Sequence, residues 1–160
     1  MAEVYLSFGS NMGDRNKNLS TALSWLAKLT VVEKTSSIFE TEPVEFLEQP
    51  KFLNMACKIS TILGPLQLLS VIKGIEVKLG RRPAFRNAPR PIDIDILFFE
   101  DLIMDTAKLT LPHPALTERA FVLVPLAEIS PDFSHPRGGK ALSYYLNHVT
   151  GKEGVRRWTP

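Results

Sequence analysis

The order in which hydrophobic patterns follow one another is the feature that most limits what this chain can fold into. Four segments have the alternation or the β-prone content of strands, namely 4–8, 31–40, 52–61 and 92–99. Two segments between them carry apolar residues at helical spacing, 14–29 and 65–79. Strands and helices therefore follow the order β-α-β-β-α-β over the first hundred residues.

That order fits a ferredoxin-like sandwich. We predict an α/β (α+β) fold with this core, extended by C-terminal strands and helices into three layers, α/β/α. Beyond the core, 102–104 has the composition of a short strand, and 117–129 and 141–149 have helical patterns. Pro125 lies inside the first of these helices, so that segment can divide into two pieces.

Composition places the chain among ordinary globular proteins. Its 160 residues suit a single domain, 1–160, and 44% hydrophobic with 22% charged residues argues against disorder. No apolar run approaches the ~20 residues of a membrane helix, and the first residues lack the basic region of a signal peptide. The lone Cys57 cannot form an internal disulfide, which fits a reducing compartment. We therefore expect a cytoplasmic protein without membrane contact, and nothing in the sequence demands more than a monomer.

Two acids inside the last core strand are the sharpest chemical feature. Asp93 and Asp95 lie in the apolar run 92–99, and the period of a strand points both carboxylates to one face, about 7 Å apart at Cα. Ile94 and Ile96 then point to the opposite face, into a core. Carboxylates at that spacing suit Mg²⁺, which takes one or two of them together with substrate phosphates. Taken alone, two such acids are more simply explained by a solvated sheet face or by pairing with nearby arginines.

An arginine-rich loop immediately precedes that strand. Arg81, Arg82, Arg86 and Arg90 fall within 81–91 with no acid among them. The whole chain has 19 Lys and Arg against 17 Asp and Glu, so outside this loop 15 basic residues face 17 acidic ones. The entire positive surplus therefore lies beside the acid pair. Arginine is the preferred side chain for phosphate oxygens, and we favour a phosphorylated small ligand over a solvated loop or a nucleic-acid contact.

Two other loops are weaker candidates. The turn 9–14 lies between the first strand and the first helix, where backbone N–H groups can line a site, but it lacks the lysine of a phosphate-binding loop. His113 lies between two prolines. It could bind a phosphate or serve only as a loop hydrogen-bonding residue.

The segment 86–97, RNAPRPIDIDIL, resembles the signature of the 6-hydroxymethyl-7,8-dihydropterin pyrophosphokinase family of folate biosynthesis. Weaker matches keep the family's order and spacing, namely 6–11, 41–43 before 52–54, 75–76 with 80–81, 109–114 and 119–121. The resemblance spans about residues 3 to 133. It implies transfer of the pyrophosphoryl group of ATP to the pterin hydroxymethyl oxygen, giving AMP and the pterin diphosphate, with two Mg²⁺ ions as cofactors.

The resemblance also implies roles for particular residues. Asp93 and Asp95 would hold the metal ions, Asp95 would accept the hydroxyl proton, and Arg81 and Arg90 would act in catalysis. The ATP-binding residues that it implies are Glu76, Arg81, Arg82, Arg90, Ile96, Leu109, Thr110, His113 and Arg119. The pterin-binding residues that it implies are Thr41, Glu42, Pro43, Val44, Phe52, Asn54 and Phe121. Without the family, the two phenylalanines would be interpreted as core residues; with it, they stack on the pterin ring.

Two rival classes stay open at this point. One is another Mg²⁺-dependent nucleotide enzyme on the same sandwich, a phosphoryl or nucleotidyl transferase. The other is an RNA-binding module, which this strand order often supports. The aromatic strand motif of such modules is absent from the sequence, and the acid pair would repel phosphate without a metal. We therefore predict small-molecule partners, ATP and the pterin, and no nucleic acid.

Overall fold

A computed structural model describes residues 1–43, 48–85 and 88–160. The strands are β1 (Ala2–Ser10), β2 (Val31–Thr35), β3 (Phe39–Thr41), β4 (Phe52–Thr61), β5 (Asp93–Phe99), β6 (Met104–Asp105), β7 (Thr110–Leu111) and β8 (Val155–Arg157). The α-helices are α1 (Arg15–Leu26), α2 (Pro65–Lys78), α3 (Ala120–Ile129) and α4 (Leu142–His148), with 3₁₀ turns at Leu116–Glu118 and Lys152–Gly154. Val44 of the predicted pterin site and Arg86 of the arginine loop lie outside the described residues.

One antiparallel sheet organises the described part of the molecule. Its strand order is β5-β1-β4-β3-β8, and β2 pairs with β4 further along the edge that β3 occupies. The two longest strands, β1 and β4, pair along their whole length, from Ala2 opposite Thr61 to Ser10 opposite Leu53. Helices α1 and α2 cover one face of the sheet, and α3 and α4 cover the other. The predicted three-layer α/β/α sandwich is confirmed.

Both faces of the sheet are apolar because both are covered. The residues buried against α1 and α2 include Leu6, Phe8, Leu53, Cys57 and Ile96. The residues buried against α3 and α4 include Tyr5, Ala56, Leu97 and Phe98. The alternation along 52–61 thus places Leu53 and Cys57 on one face of β4 and Ala56 on the other. Among the described residues, no helix combines the length and the apolarity needed to cross a membrane.

The ends of the first two helices follow their sequence signals. The side chain of Asp14 accepts the backbone N–H of Lys17 at 3.1 Å and caps α1. Helix α2 has Gly64 as its N-cap and Pro65 in its first turn, and Gly80 follows its end with φ of +95°. Helix α1 ends at Leu26, earlier than the predicted Leu29, because the next residues form tighter three-residue hydrogen bonds.

Several boundaries differ from the sequence prediction. Strand β1 continues through Gly9 and Ser10, because its pairing with both neighbours outweighs the weak strand propensity of these residues. The segment 31–40, predicted as one strand, forms β2 and β3. The helical segment 117–129 is divided at Arg119, whose backbone is extended, while α3 passes through Pro125 without a break. Strand β8 was not predicted.

Candidate active site

The two strand acids lie on the sheet face that α3 and α4 cover. In the pairing of β5 with β1, Asp93 is opposite Gly9 and Asp95 is opposite Ser7. Ile94 points to the other face and is buried against α1 and α2. The prediction that the two carboxylates share one face of a strand is therefore confirmed.

A glycine separates the acids from an amide on the same face. Gly9 pairs with Asp93 on one side and with Asn54 on the other. A Cβ at this position would lie 3.1 Å from Asn54 Nδ2 and 3.5 Å from the ring of Phe52. Because glycine has no side chain, the sheet has an open floor between the acid pair and the amide.

An aromatic cleft lies above this floor, with a volume of about 650 Å³ including its open mouth. Its lining residues include Ser7, Gly9, Thr41, Glu42, Gln49, Phe52, Asn54 and Phe121. Asn54 is almost fully buried, and its Oδ1 accepts the hydroxyl of Thr41 at 2.7 Å. A buried amide in a cleft that two phenylalanines also line suits a flat ring with polar edges.

An arginine cleft lies beside the aromatic one, with a volume of about 910 Å³ including its open mouth. Its lining residues include Arg81, Arg82, Phe85, Pro89 and His113. Four further residues line both clefts, namely Arg90, Asp93, Asp95 and Arg119. Asp93 and Asp95 therefore lie where the aromatic cleft and the arginine cleft meet.

The two acids have different surroundings. Asp93 forms ion pairs with Arg81 at 2.9 Å and with Arg90 Nε at 3.4 Å. No ion pair of Asp95 occurs among the described residues. Burial raises the pKa of Asp95 to about 7, and the charges of Asp93 and Glu76 add to the effect. One carboxylate is thus neutralised by arginines, whereas the other can gain a cation or a proton.

Arg90 and Arg119 each contact an aromatic ring of the neighbouring cleft. The guanidinium carbon of Arg90 lies 5.1 Å from the ring centre of Phe52, and that of Arg119 lies 5.7 Å from the ring centre of Phe121. The Nε of Arg90 is buried without a hydrogen-bond partner in the described part of the chain. Its ion pair with Asp93 therefore lacks hydrogen-bond geometry, and an anionic ligand could supply a well-placed acceptor.

The other predicted nucleotide residues are placed in different ways. His113 lines the arginine cleft, and burial together with Arg119 lowers its pKa. Glu76 is buried and holds Arg81 at 2.8 Å from beneath the cleft. Thr110 is half-buried in β7.

Two residues that were predicted to contact the nucleotide, Ile96 and Leu109, lie in the core between the sheet and helices α1 and α2. Ile96 is 3% exposed there, and Leu109 packs against the same cluster. Neither lines the two clefts. Their contacts with ATP stay predictions. Of the residues predicted to bind the pterin, Pro43 is buried, and Glu42 is paired with Lys51 at 3.4 Å.

The two aspartates fit a hard cation whose remaining ligands come from substrate phosphates or water. Among the described residues, no group of three or more His, Cys, Asp or Glu side chains is arranged to hold a metal ion. Mg²⁺ is commonly bound by one or two carboxylates plus substrate phosphates, so Asp93 and Asp95 would suffice beside a polyphosphate. The raised pKa of Asp95 also indicates a site that favours added positive charge.

Sequence reasoning missed residues that form the site without carrying charge. Ser7 and Gly9 form the floor, and Gln49 lines the aromatic cleft. The signal for the first two was available, since alternation along β1 places Ser7 and Gly9 on the face opposite Leu6 and Phe8. Small residues on one face of a central strand leave room for a ligand.

Fold and site together define an α/β sandwich with a binding site of two joined clefts. The family model for 7,8-dihydro-6-hydroxymethylpterin-pyrophosphokinase (HPPK) matches residues 5–131. The chain belongs to this family.

Relatives and solved structures agree with the family match. The chain is 41% identical over 152 residues to the pyrophosphokinase of Aquifex aeolicus, covering 95% of each protein, and 42% identical to that of Bacillus subtilis, covering 89% of the relative. It is 48% identical to the folic acid synthesis protein FOL1 of Dictyostelium discoideum, covering 83% of this chain and 20% of the relative. It likewise spans about a fifth of the corresponding proteins of Schizosaccharomyces pombe and Pneumocystis carinii. A Plasmodium falciparum HPPK-DHPS crystal structure shares the fold, with a TM-score of 0.78 and 19% identity over 98% of this chain and 47% of that one.

Proposed function

We propose that this chain transfers the pyrophosphoryl group of ATP to the hydroxymethyl oxygen of 6-hydroxymethyl-7,8-dihydropterin, giving AMP and the pterin diphosphate. One observation carries the proposal: an aromatic cleft and an arginine cleft meet at a single acid pair in a chain of this family. A transfer between two substrates needs two compartments that share one reacting position.

The aromatic cleft would hold the pterin. Phe52 and Phe121 supply stacking surfaces for its bicyclic ring, and the amide of Asn54 supplies a donor and an acceptor for its polar edge. Thr41 holds that amide through its hydroxyl. Glu42 and Pro43 would add further contacts, as the family resemblance implies, and the contact of Val44, which lies outside the described residues, stays a prediction from the sequence.

The arginine cleft would hold the triphosphate of ATP. Arg81, Arg82, Arg90 and Arg119 line it, and planar guanidinium groups bind phosphate oxygens in pairs. The buried Nε of Arg90 has an ion pair with Asp93 but no hydrogen bond, and a phosphate oxygen would supply the acceptor. His113, with its lowered pKa, is suited to donate a hydrogen bond as a neutral ring.

The acid pair would act at the junction. Two Mg²⁺ ions bound by Asp93 and Asp95 would neutralise phosphate charge and acidify the pterin hydroxyl. The Asp95 carboxylate accepts the hydroxyl proton as the pterin oxygen forms its bond to the β-phosphorus. The bond from that phosphorus to the α,β-bridging oxygen breaks, and AMP leaves.

A cytoplasmic location, a monomeric state and a single domain over 1–160 stay predictions from the sequence.

A product assay tests the proposal. The purified chain is incubated with ATP, Mg²⁺ and the pterin, and the nucleotides are separated by chromatography. AMP should appear in step with the pterin diphosphate, only when both substrates are present, and chelation of Mg²⁺ should abolish it. ADP would indicate an ordinary phosphoryl transferase and free pyrophosphate a nucleotidyl transferase. RNA affinity that persists in EDTA would favour the binding-module alternative.

A matched pair of acid variants assigns the activity to the junction. Asp95→Asn should lower turnover at least about 100-fold, since loss of even an outer partner of a metal costs 10- to 100-fold. Asp105→Asn removes an exposed acid that pairs with Arg137 and lines neither cleft, and it should retain turnover. Equal effects of the two changes would remove Asp95 from the reaction.

A further inference from the structure

Asn11 forms hydrogen bonds with segments of both clefts from one buried position. Its backbone N–H donates to the carbonyl of Arg90 at 3.1 Å, and its Oδ1 accepts the backbone N–H of Arg90 at 2.8 Å. Its Nδ2 donates to Gln49 Oε1 at 2.6 Å and to the carbonyl of Pro50 at 3.2 Å. Asn11 is 0% exposed, whereas Gln49 and Arg90 are half-buried and Pro50 is exposed, so all four bonds converge on one buried residue.

These bonds join the end of the arginine loop to the segment that begins β4. Arg90 contributes to both clefts, whereas Gln49 and Pro50 directly precede the strand that carries Phe52 and Asn54. We propose that Asn11 is a positioning residue, which fixes the spacing between the phosphate-binding and the pterin-binding segments. The proposal rests on the function proposed above.

The two segments also meet through their side chains, which makes their spacing consequential. The guanidinium of Arg90 packs over the ring of Phe52. A relative shift of the two segments would therefore move a phosphate-binding group against a pterin-binding surface. Misplacement of reacting groups by about 1 Å can cost about 100-fold in rate. Each substrate also has contacts on its own wall, so separate binding is affected less than turnover.

A structural role alone would have a different signature. If Asn11 only stabilised the end of β1, its removal would lower the fraction of folded protein. Turnover per folded molecule would not change. A positioning role therefore predicts a lower kcat per folded molecule, whereas a purely structural role predicts lower stability with an unchanged kcat per folded molecule.

Two variants and one control make the test. Asn11→Ala removes the side-chain bonds to both segments. Asn11→Asp has nearly the same shape and keeps the acceptor for the Arg90 N–H, but loses the donor to Gln49 and Pro50. The control is Asn18→Ala in α1, because among the described residues its side chain bonds only Ser10 and Met12, on either side of Asn11.

The measurements are kcat and KM for AMP formation, the folded fraction by circular dichroism, and separate dissociation constants for a non-transferring ATP analogue and for the pterin. Both Asn11 variants should lose about tenfold or more in kcat per folded molecule, with dissociation constants changed less than about threefold. Asn18→Ala should keep kcat within about twofold.

Unchanged kcat per folded molecule in the Asn11 variants would overturn the proposal, as would a loss confined to one KM or a loss equal to that of the control. If Asn11→Ala does not fold, the nearly isosteric Asn11→Asp decides alone. If the unmodified chain forms no AMP, the proposed function fails and the positioning role with it. If it forms AMP and the variants match its kcat, only the positioning role fails.

Discussion

The buried carboxylate of Glu76 accepts the backbone N–H of Ile94, the residue between the two aspartates, at 2.9 Å. The same oxygen accepts a hydrogen bond from Arg81 at 2.8 Å. Strand β5 lies at one edge of the sheet, where outward-facing N–H groups need partners from outside it. A side chain of α2 therefore fixes both the strand that carries the acid pair and the first arginine of the loop.

Two replacements of Glu76 should show how much its hydrogen-bond acceptor contributes to stability. Glu76→Leu leaves the Ile94 N–H without an acceptor, and we expect a loss of about 1–3 kcal/mol in the free energy of unfolding. Glu76→Gln keeps an acceptor and should lose less. Urea unfolding of both variants and the unmodified chain measures the difference. Equal losses would show that the bond to Ile94 contributes little.

The pKa of Asp95 predicts a pH dependence of stability in the metal-free protein. The carboxyl has an ordinary pKa of 3.8 and one of about 7 when folded, so the folded state binds the proton more tightly. Its contribution is fully present below about pH 4 and is lost as the pH rises through about 7. In EDTA, the free energy of unfolding relative to Asp95→Asn should fall by up to about 1.4 kcal/mol per pH unit in this window.

Asp101→Asn is the control for this pH dependence, because it removes an exposed acid just after β5. Its stability should follow the unmodified chain across the same pH range. A constant difference between the unmodified chain and Asp95→Asn, measured by denaturant unfolding at each pH, would contradict the assignment of the shift to Asp95.

A methyl group at Gly9 should affect the pterin side selectively. The added Cβ would press on Asn54 and approach Phe52, so Gly9→Ala should weaken pterin binding by about tenfold or more. Binding of an ATP analogue should change little. Gly74→Ala is the matched control, because nothing lies within 4 Å of its Cβ and alanine should stabilise α2 by about 0.5–1 kcal/mol. Calorimetric titration with each ligand gives the answer, and equal weakening of both would be inconsistent with the open floor.

A crossed pair of substitutions tests the division into two clefts. Asn54→Ala removes the amide of the aromatic cleft, whereas Arg82→Ala removes a cation that lines only the arginine cleft. The first should weaken pterin binding more than nucleotide binding. The second should weaken nucleotide binding, by an amount that falls with salt, and leave the pterin unaffected. Titrations that show the same ligand weakened by both changes would refute the division.

Local patterns were sufficient for the parts of the fold that depend on period alone. Alternation placed Asp93 and Asp95 on one face of β5 and Ile94 on the other. Helical spacing of apolar residues indicated α1 and α2, whose ends at Asp14 and Gly80 depend on contacts within a few residues. These signals need no knowledge of what packs where.

Non-local pairing explains what the sequence did not reveal. Strand β3 has three residues and exists through its bonds to β4 and β8. The division of 31–40 and the presence of β8 therefore depend on partners far along the chain. The position of Asn11 is of the same kind, because its role arises from segments that are separated from it by about forty and eighty residues.

Strand β8 supports the wall of the aromatic cleft that β3 forms, and the family pattern does not specify this support. Val155 pairs with Thr41, and the backbone N–H of Trp158 donates to Ile38 just before β3. The family match ends at residue 131, well before this strand. Two members can therefore share every residue that contacts substrate and still differ in the rigidity behind that wall. Substitutions in β8 can therefore change how firmly Thr41 is held while the acid pair of β5 stays unchanged.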